Sequence, residues 1–160
     1  MTKNKLHQII IEALQQQLNT AQNAAMQAYN TATDDENVAE NKYDTLGLEA
    51  AYLAAGQSTR VAAYEEDITI FKAFQATQLR ESDSIDVGTL VSLVDDKDQG
   101  FCIYLSPVAG GLTLNTEGQE ILLVTSQAPL GEALIGKYLG DEVSLTQQGK
   151  MKTYEIVDLS

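Results

Sequence analysis

The chain has 160 residues, of which 44% are hydrophobic, enough for one ordinary domain or for a small domain with an extended element. Ten basic residues against 23 acidic ones give a net charge of −13, which disfavours free nucleic acids and anionic membranes and favours a basic surface on another protein. A single cysteine excludes an internal disulfide and a Cys-rich metal site. No stretch reaches the roughly 20 apolar residues of a membrane helix. The opening apolar run is too short for a signal peptide, so we expect a cytoplasmic protein.

The first 76 residues have the spacing of two long helices. Apolar or small residues recur every three or four positions from residue 7 to 32, and again from 46 to 71. The first seam holds His7, Ile11, Leu14, Leu18, Ala21, Ala25, Ala28 and Ala32; the second holds Leu46, Ala50, Leu53, Gln57, Val61, Tyr64, Ile68 and Phe71. Two such helices joined by a short turn predict an antiparallel coiled-coil hairpin at 1–76 that narrows toward its alanine-rich end.

The turn of this hairpin, with its tip at 33–42, is unusually acidic. One capping box, with Asn37 as the N-cap and Glu40 reaching back, explains two carboxylates near a helix start. Capping explains less well why the turn carries five acids, so a metal-binding role for them remains an alternative. The acids of the stretch ATDDENVAENKYD are Asp34, Asp35, Glu36, Glu40 and Asp44.

Beyond residue 76 the composition changes. Both prolines and nine of the 11 glycines lie there, and the polar segment 77–84 is predicted to be a linker. Five runs of strand length follow, with a short helix beginning at Pro129 and ending at Gly136 or Gly140. Residues 85–160 are therefore predicted to form a small antiparallel sheet of about five strands with one helix, and the chain as a whole is α+β.

The stretch SQAPLGEALIGKYLGDEVSL, residues 126–145, resembles the C-terminal signature of the Gre family of bacterial transcript-cleavage factors. The resemblance implies an FKBP-like fold for the sheet domain, and the order of hairpin then sheet agrees with it. Ala128 departs from the pattern, which has serine there, and Asn37 stands where the family has an acidic tip residue. The matching residues are Pro129, Gly131, Ala133, Leu134, Gly136, Lys137, Gly140, Asp141, Glu142 and Val143.

The resemblance implies a mechanism carried out on RNA polymerase. The sheet domain would dock on the rim of the secondary channel, and the hairpin, as an acidic rod, would enter that channel. Tip carboxylates Asp35, Glu36 and Glu40 would share a second Mg²⁺ with the polymerase active site, where water attacks backtracked RNA. RNA would be met only within the polymerase complex, and a monomer suits a narrow channel. The docking loop implied by the family contains Ser126, Ala128, Pro129 and Leu130.

Two alternatives remain beside cleavage stimulation. A channel-binding regulator that modulates or inhibits polymerase without stimulating cleavage is suggested by Asn37. A prolyl isomerase or chaperone is suggested only by the fold of the sheet domain, and the lack of tryptophan disfavours it. An enzyme acting alone is not expected, because His7, the one histidine, has no partners for a triad and is predicted to be a packing or interdomain residue. Cys102 is predicted to be a buried thiol.

Overall fold

The computed structural model describes residues 1–34, 38, 45–77 and 83–160 of the chain. Two long helices come first, α1 (Lys3–Thr33) and α2 (Leu46–Thr77). Four strands follow: β1 (Leu90–Asp95), β2 (Gly100–Leu105), β3 (Thr113–Thr116) and β4 (Gln119–Val124). A short helix, α3 (Pro129–Leu134), precedes β5 (Glu142–Gln147) and β6 (Lys150–Leu159). The α+β class and the succession of helical hairpin and sheet are confirmed.

Contacts divide the chain into two units, one formed by residues 10–69 and the other by residues 1–9 together with 70–160. The first unit is the helical hairpin. Late α1 residues and early α2 residues line one groove, so the two helices run antiparallel. Of the predicted linker 77–84, residues 78–82 lie outside the described part of the chain, and the proposed domain boundaries stay predictions.

The seam of the hairpin is buried where α1 carries large side chains and opens where α1 carries alanine. Leu14 and Leu18 are buried, and Ile10 replaces the predicted Ile11 as the fully buried isoleucine. In the alanine-rich half, Leu46 and Leu53 of α2 are exposed although they occupy predicted seam positions. Alanine is too short to cover a leucine on the facing helix, so these two predicted seam positions stay exposed.

The second unit contains a six-stranded sheet in the order β3-β4-β2-β1-β6-β5. All neighbours are antiparallel except β2 and β4, which pair in parallel from Cys102 opposite Ile121 to Leu105 opposite Val124. The predicted all-antiparallel sheet of about five strands is therefore corrected to a mixed sheet of six. The strand that was missed is β3, only four residues long, in which Leu114 alone is fully buried.

The parallel pair follows from the turn that joins β3 to β4. Glu117 and Gly118 both have positive φ, 52° and 77°, as a tight two-residue hairpin requires. This hairpin brings β4 between β3 and β2, and residues 106–118 serve as the long crossover that parallel strands need. A salt bridge from Lys5, in the first turn of α1, reaches the Glu117 side chain at the same turn.

One face of the sheet carries a hydrophobic core cluster, and Tyr104, Ile121 and Leu123 are buried outside this cluster. The core is closed by α3, through Leu134, and by the segment before β1, through Ile85. The Ile85 N–H donates to the Lys137 carbonyl at 2.8 Å, and the Gly136 N–H donates back to Ile85 at 2.8 Å. Gly136, with φ +77°, ends α3 as predicted. The buried core residues are Ile85, Val91, Leu93, Ile103, Leu105, Val124, Leu134, Val143, Tyr154 and Ile156.

Candidate functional site

The predicted metal ligands Asp35, Glu36 and Glu40 lie outside the described residues, as does the capping box at Asn37–Glu40. In the segments 1–34, 45–77 and 83–160 and at residue 38, no group of three His, Cys, Asp or Glu side chains is placed to hold a metal ion. The metal site predicted at the tip therefore remains a prediction, because its ligands lie outside the described residues.

The described residues next to the tip show how α2 starts. Thr45 immediately precedes the helix, and its carbonyl accepts a hydrogen bond from the Glu49 N–H at 2.8 Å. Its Oγ1 donates to Glu49 Oε1 at 3.0 Å. The pair anchors the first turn of α2, because the side chain of Glu49 is held against the residue that precedes the helix. Asp34, which follows α1, is exposed.

The docking loop predicted from the family signature leads from β4 into α3. Ser126 and Pro129 are exposed, whereas Ala128 and Leu130 are half-buried against the core of the sheet domain. The Ala128 N–H donates to the Thr125 carbonyl at 3.1 Å, which makes the loop a tight turn. The structure thus places the four predicted residues in the loop and the first turn of α3, with two of them exposed and two packed against the core.

Two glycines fix the shape of this loop by close approach to Thr125. A Cβ atom built on Gly131 would lie 2.0 Å from the Thr125 carbonyl oxygen, a distance that no side chain tolerates. A Cβ on Gly110 would lie 3.1 Å from Thr125 Cγ2. Gly131 is therefore required by packing. Gly111, with φ +93°, makes the turn that was predicted at the glycine pair.

A cavity of about 470 Å³ opens beside the loop. Its walls are mostly apolar, and the glycine pair that the sequence marks only as a turn forms one of them. The sequence offered one signal for this wall, the glycine-rich turn. Where that turn lies relative to the docking loop depends on the β3–β4 hairpin. The lining residues are Gly110, Gly111, Leu122, Leu123, Val124, Thr125, Ala128, Pro129, Leu130, Leu145, Thr146 and Gln147.

Three exposed apolar side chains follow α3 in the chain and were not predicted to be functional. Ile135, Tyr138 and Leu139 lie in the connection to β5. The connection is held in place because the Tyr138 N–H donates to Asp141 Oδ2 at 2.8 Å and the Gly140 N–H donates to the Ile156 carbonyl at 2.8 Å. An ordered loop that exposes several large apolar groups is typical of a protein-binding surface.

His7 lies in the second unit, where it is buried as predicted. Its Nε2 is 2.7 Å from the Tyr104 hydroxyl, and its ring packs edge-on against Phe71 at 5.5 Å between centroids. Burial, with a smaller contribution from the positive charge of Lys3, lowers the pKa of His7 below its ordinary value. Burial also raises the pKa of the Tyr104 hydroxyl. The neutral forms of both groups are therefore favoured, which suits a packing role for His7.

The hairpin is not an acidic rod along its whole length. Residues 13–33 contain no charged residue, and residues 45–59 contain one, Glu49. The negative charge of the hairpin is concentrated in the tip segment and near the far end of α2. The description of the hairpin as an acidic rod therefore does not hold for this half of it.

Sequence comparison relates the chain to transcription elongation factor GreA. It is 28% identical over 129 residues to GreA of Rickettsia bellii, covering 78% of this chain and 77% of the relative. It is 35% identical over 77 residues to GreA of a Sulfurovum species, covering 48% of this chain and 44% of the relative. No family model matches the chain.

Among solved structures, the chain is similar to the GreA factor homolog Gfh1 of Thermus thermophilus, with 19% identity, 94% coverage of each chain and a TM-score of 0.38. The described chain has two long helices followed by a six-stranded sheet with a short helix. The chain is similar in sequence to transcription elongation factor GreA over 129 residues.

Proposed function

We propose that this chain is a transcription elongation factor that binds RNA polymerase and acts through the tip of its hairpin in the secondary channel. The observation that supports this proposal most directly is the sequence similarity to GreA over 129 residues. Neither unit is that long, since one spans residues 10–69 and the other residues 1–9 and 70–160. The relationship therefore includes parts of both units, the hairpin as well as the sheet domain.

The sheet domain would supply docking. Ser126 and Pro129 are exposed on a loop whose shape is held by Gly131, and Tyr138 and Leu139 add apolar surface in the same domain. A rigid, partly apolar loop loses little conformational freedom on binding, which favours affinity. These features support the assignment of the docking loop to the polymerase rim.

The tip would supply oxygen ligands. Hydrolysis of a phosphodiester is favoured when two metal ions stabilise the attacking and the leaving oxygens, and Mg²⁺ commonly takes one or two carboxylates from protein. Asp35, Glu36 and Glu40 are the proposed donors, and the polymerase active site would hold the ion and the RNA. In this proposal the chain is an accessory factor, and the reaction takes place on the polymerase.

The test is RNA cleavage in a stalled, backtracked elongation complex containing Mg²⁺. The wild-type chain is expected to shorten the transcript, and the variant D35A/E36A/E40A is expected to lose this effect while still binding polymerase. A matched control is E65A/E66A/E155A, which removes three exposed carboxylates outside the tip segment. Equal loss in both triple variants would contradict a specific role of the tip.

A channel-binding regulator without cleavage activity is the second candidate. Asn37, a neutral residue where the resemblance has an acidic one, is the observation that favours it. In the same assay this function predicts no transcript shortening. It predicts slower RNA synthesis and competition with a known cleavage factor, both retained in large part by the triple tip variant.

A further inference from the structure

The half of the hairpin next to the tip contains an open groove that the proposed function does not explain. Its volume is about 440 Å³. The large side chains on its walls are Leu46 and Leu53, which remain 50% and 56% exposed. The remaining lining residues are Ala24, Gln27, Ala28, Thr31, Glu49, Ala50 and Gln57.

The groove results from the residue sizes on the two helices. The leucines of α2 occupy seam positions seven residues apart, so they lie on one face of the helix. They meet Ala24 and Ala28 of α1, which are too short to cover them. The leucines project and the alanines leave space beside them. A groove of this shape can accept the apolar side chains of another helix.

The charge of the groove restricts its occupant. The chain has a net charge of −13, yet the only residue of residues 13–33 and 45–59 that is charged at neutral pH is Glu49. The Glu49 carboxylate already accepts a hydrogen bond from Thr45 Oγ1 at the start of its own helix. A basic partner would gain little from such a surface, whereas an uncharged apolar partner would lose no solvated charge.

The groove also borders the tip in sequence, since Thr31 precedes the segment 34–45 and Leu46 follows it. We propose that the groove is a second polymerase contact, which takes an uncharged, apolar helical segment lining the channel next to the active centre. This inference rests on the proposed function, because only a tip delivered to the active centre brings the groove to that position. The groove would fix the depth and rotation of the hairpin, while the tip acids provide metal ligands.

The experiment compares two pairs of substitutions in the full chain. L46Q/L53Q makes the groove polar, and L48Q/Y52Q is the matched control, because Leu48 and Tyr52 are 56% and 72% exposed on the same helix segment but do not line the groove. Binding to purified bacterial core RNA polymerase is measured by competition, with thermal unfolding of each free variant beside it. Roughly tenfold weaker binding or more is expected for the groove pair, from partial burial of two leucines. The control pair is expected to change affinity less than about twofold.

A third variant guards against loss of folding. A24L adds a side chain that fills the groove from α1 and leaves both leucines in place. It is expected to keep or raise the melting temperature and still to weaken polymerase binding.

The outcomes separate the two proposals. Wild-type binding with equal affinity of the groove and control pairs would overturn the groove contact and leave the elongation-factor proposal intact. A concentration-dependent dimer of the free chain that disappears in L46Q/L53Q would overturn it in favour of a second copy as the occupant. Absence of wild-type polymerase binding would overturn the proposed function and the groove contact together.

Discussion

At the scale of single residues, Gly131 has the most restricted environment in the candidate docking loop. Replacing it with alanine would drive a Cβ atom to 2.0 Å from the Thr125 carbonyl oxygen. We expect G131A to lose about 1–3 kcal/mol of unfolding free energy through overpacking, measured by urea denaturation. G100A is the control, since a Cβ there meets nothing within 4 Å. A G131A protein as stable as wild type would show that the loop relaxes away from the helix.

The serine missing from the family signature leaves α3 without a side-chain cap. Ala128 is the N-cap, with φ −71° and ψ 148°, the extended conformation that a capping residue adopts. A128S keeps the small size of the residue and adds an acceptor for the free N–H groups of the first turn. We expect it to stabilise the sheet domain by about 1 kcal/mol in urea unfolding. An A128S protein no more stable than wild type would show that the added hydroxyl does not cap the first turn of α3.

His7 makes stability depend on pH. Because its pKa is lower in the folded chain than in the unfolded one, the unfolded state takes up the proton first as the pH falls. The contribution of His7 is fully present above the unfolded pKa of about 6.5 and is lost below it, toward the lower folded pKa. We expect the unfolding free energy to drop between pH 7.5 and 5.5, and to drop less in H7Q. Identical pH profiles for wild type and H7Q would contradict this assignment.

At the scale of elements, α2 carries a glycine that its structure does not need. Gly56 lies inside the helix, and a Cβ atom there meets nothing within 4 Å. Alanine restricts the unfolded chain and favours helix, so G56A is expected to stabilise the hairpin by about 0.5–1 kcal/mol, seen as a higher melting temperature. G111A is the contrasting substitution. It places alanine at φ +93° and is expected to destabilise the chain.

The elements that could be predicted from the sequence are those with a strong local pattern. The two long helices and α3 followed from periodicity and from Pro129 and Gly136. The strand β3 could not, because four residues with one buried side chain carry too little pattern. The parallel pairing of β2 with β4 could not be predicted either, because it depends on the hairpin that β3 forms with β4. Spacing also placed Leu53 in the seam but could not show that the facing alanines leave it exposed, since that depends on packing between helices.

At the scale of the whole molecule, the candidate functions are divided between two parts of the chain. The docking loop is held on the core of the sheet domain by Gly131, Ala128 and Leu130, so its shape comes from packing. The tip segment carries five acids; residues 13–33 before it contain no charged residue, and residues 45–59 after it contain only Glu49. Because the docking loop and the tip lie in different parts of the chain, docking and chemistry are expected to respond to different substitutions. Among the described residues, no helix is long and apolar enough to cross a membrane.

This division predicts two distinct kinetic effects in the cleavage assay. S126R/P129A changes two exposed loop residues and is expected to raise the concentration of factor needed for half-maximal cleavage, with the maximal rate unchanged. D35A/E36A/E40A is expected to lower the maximal rate with the half-maximal concentration nearly unchanged, because an interaction made only during the reaction is lost. M151A, a change at an exposed residue of β6, is the control and should alter neither parameter. If the loop pair lowered the maximal rate instead, the loop would be positioning the tip, and docking and chemistry would not be separable in this chain.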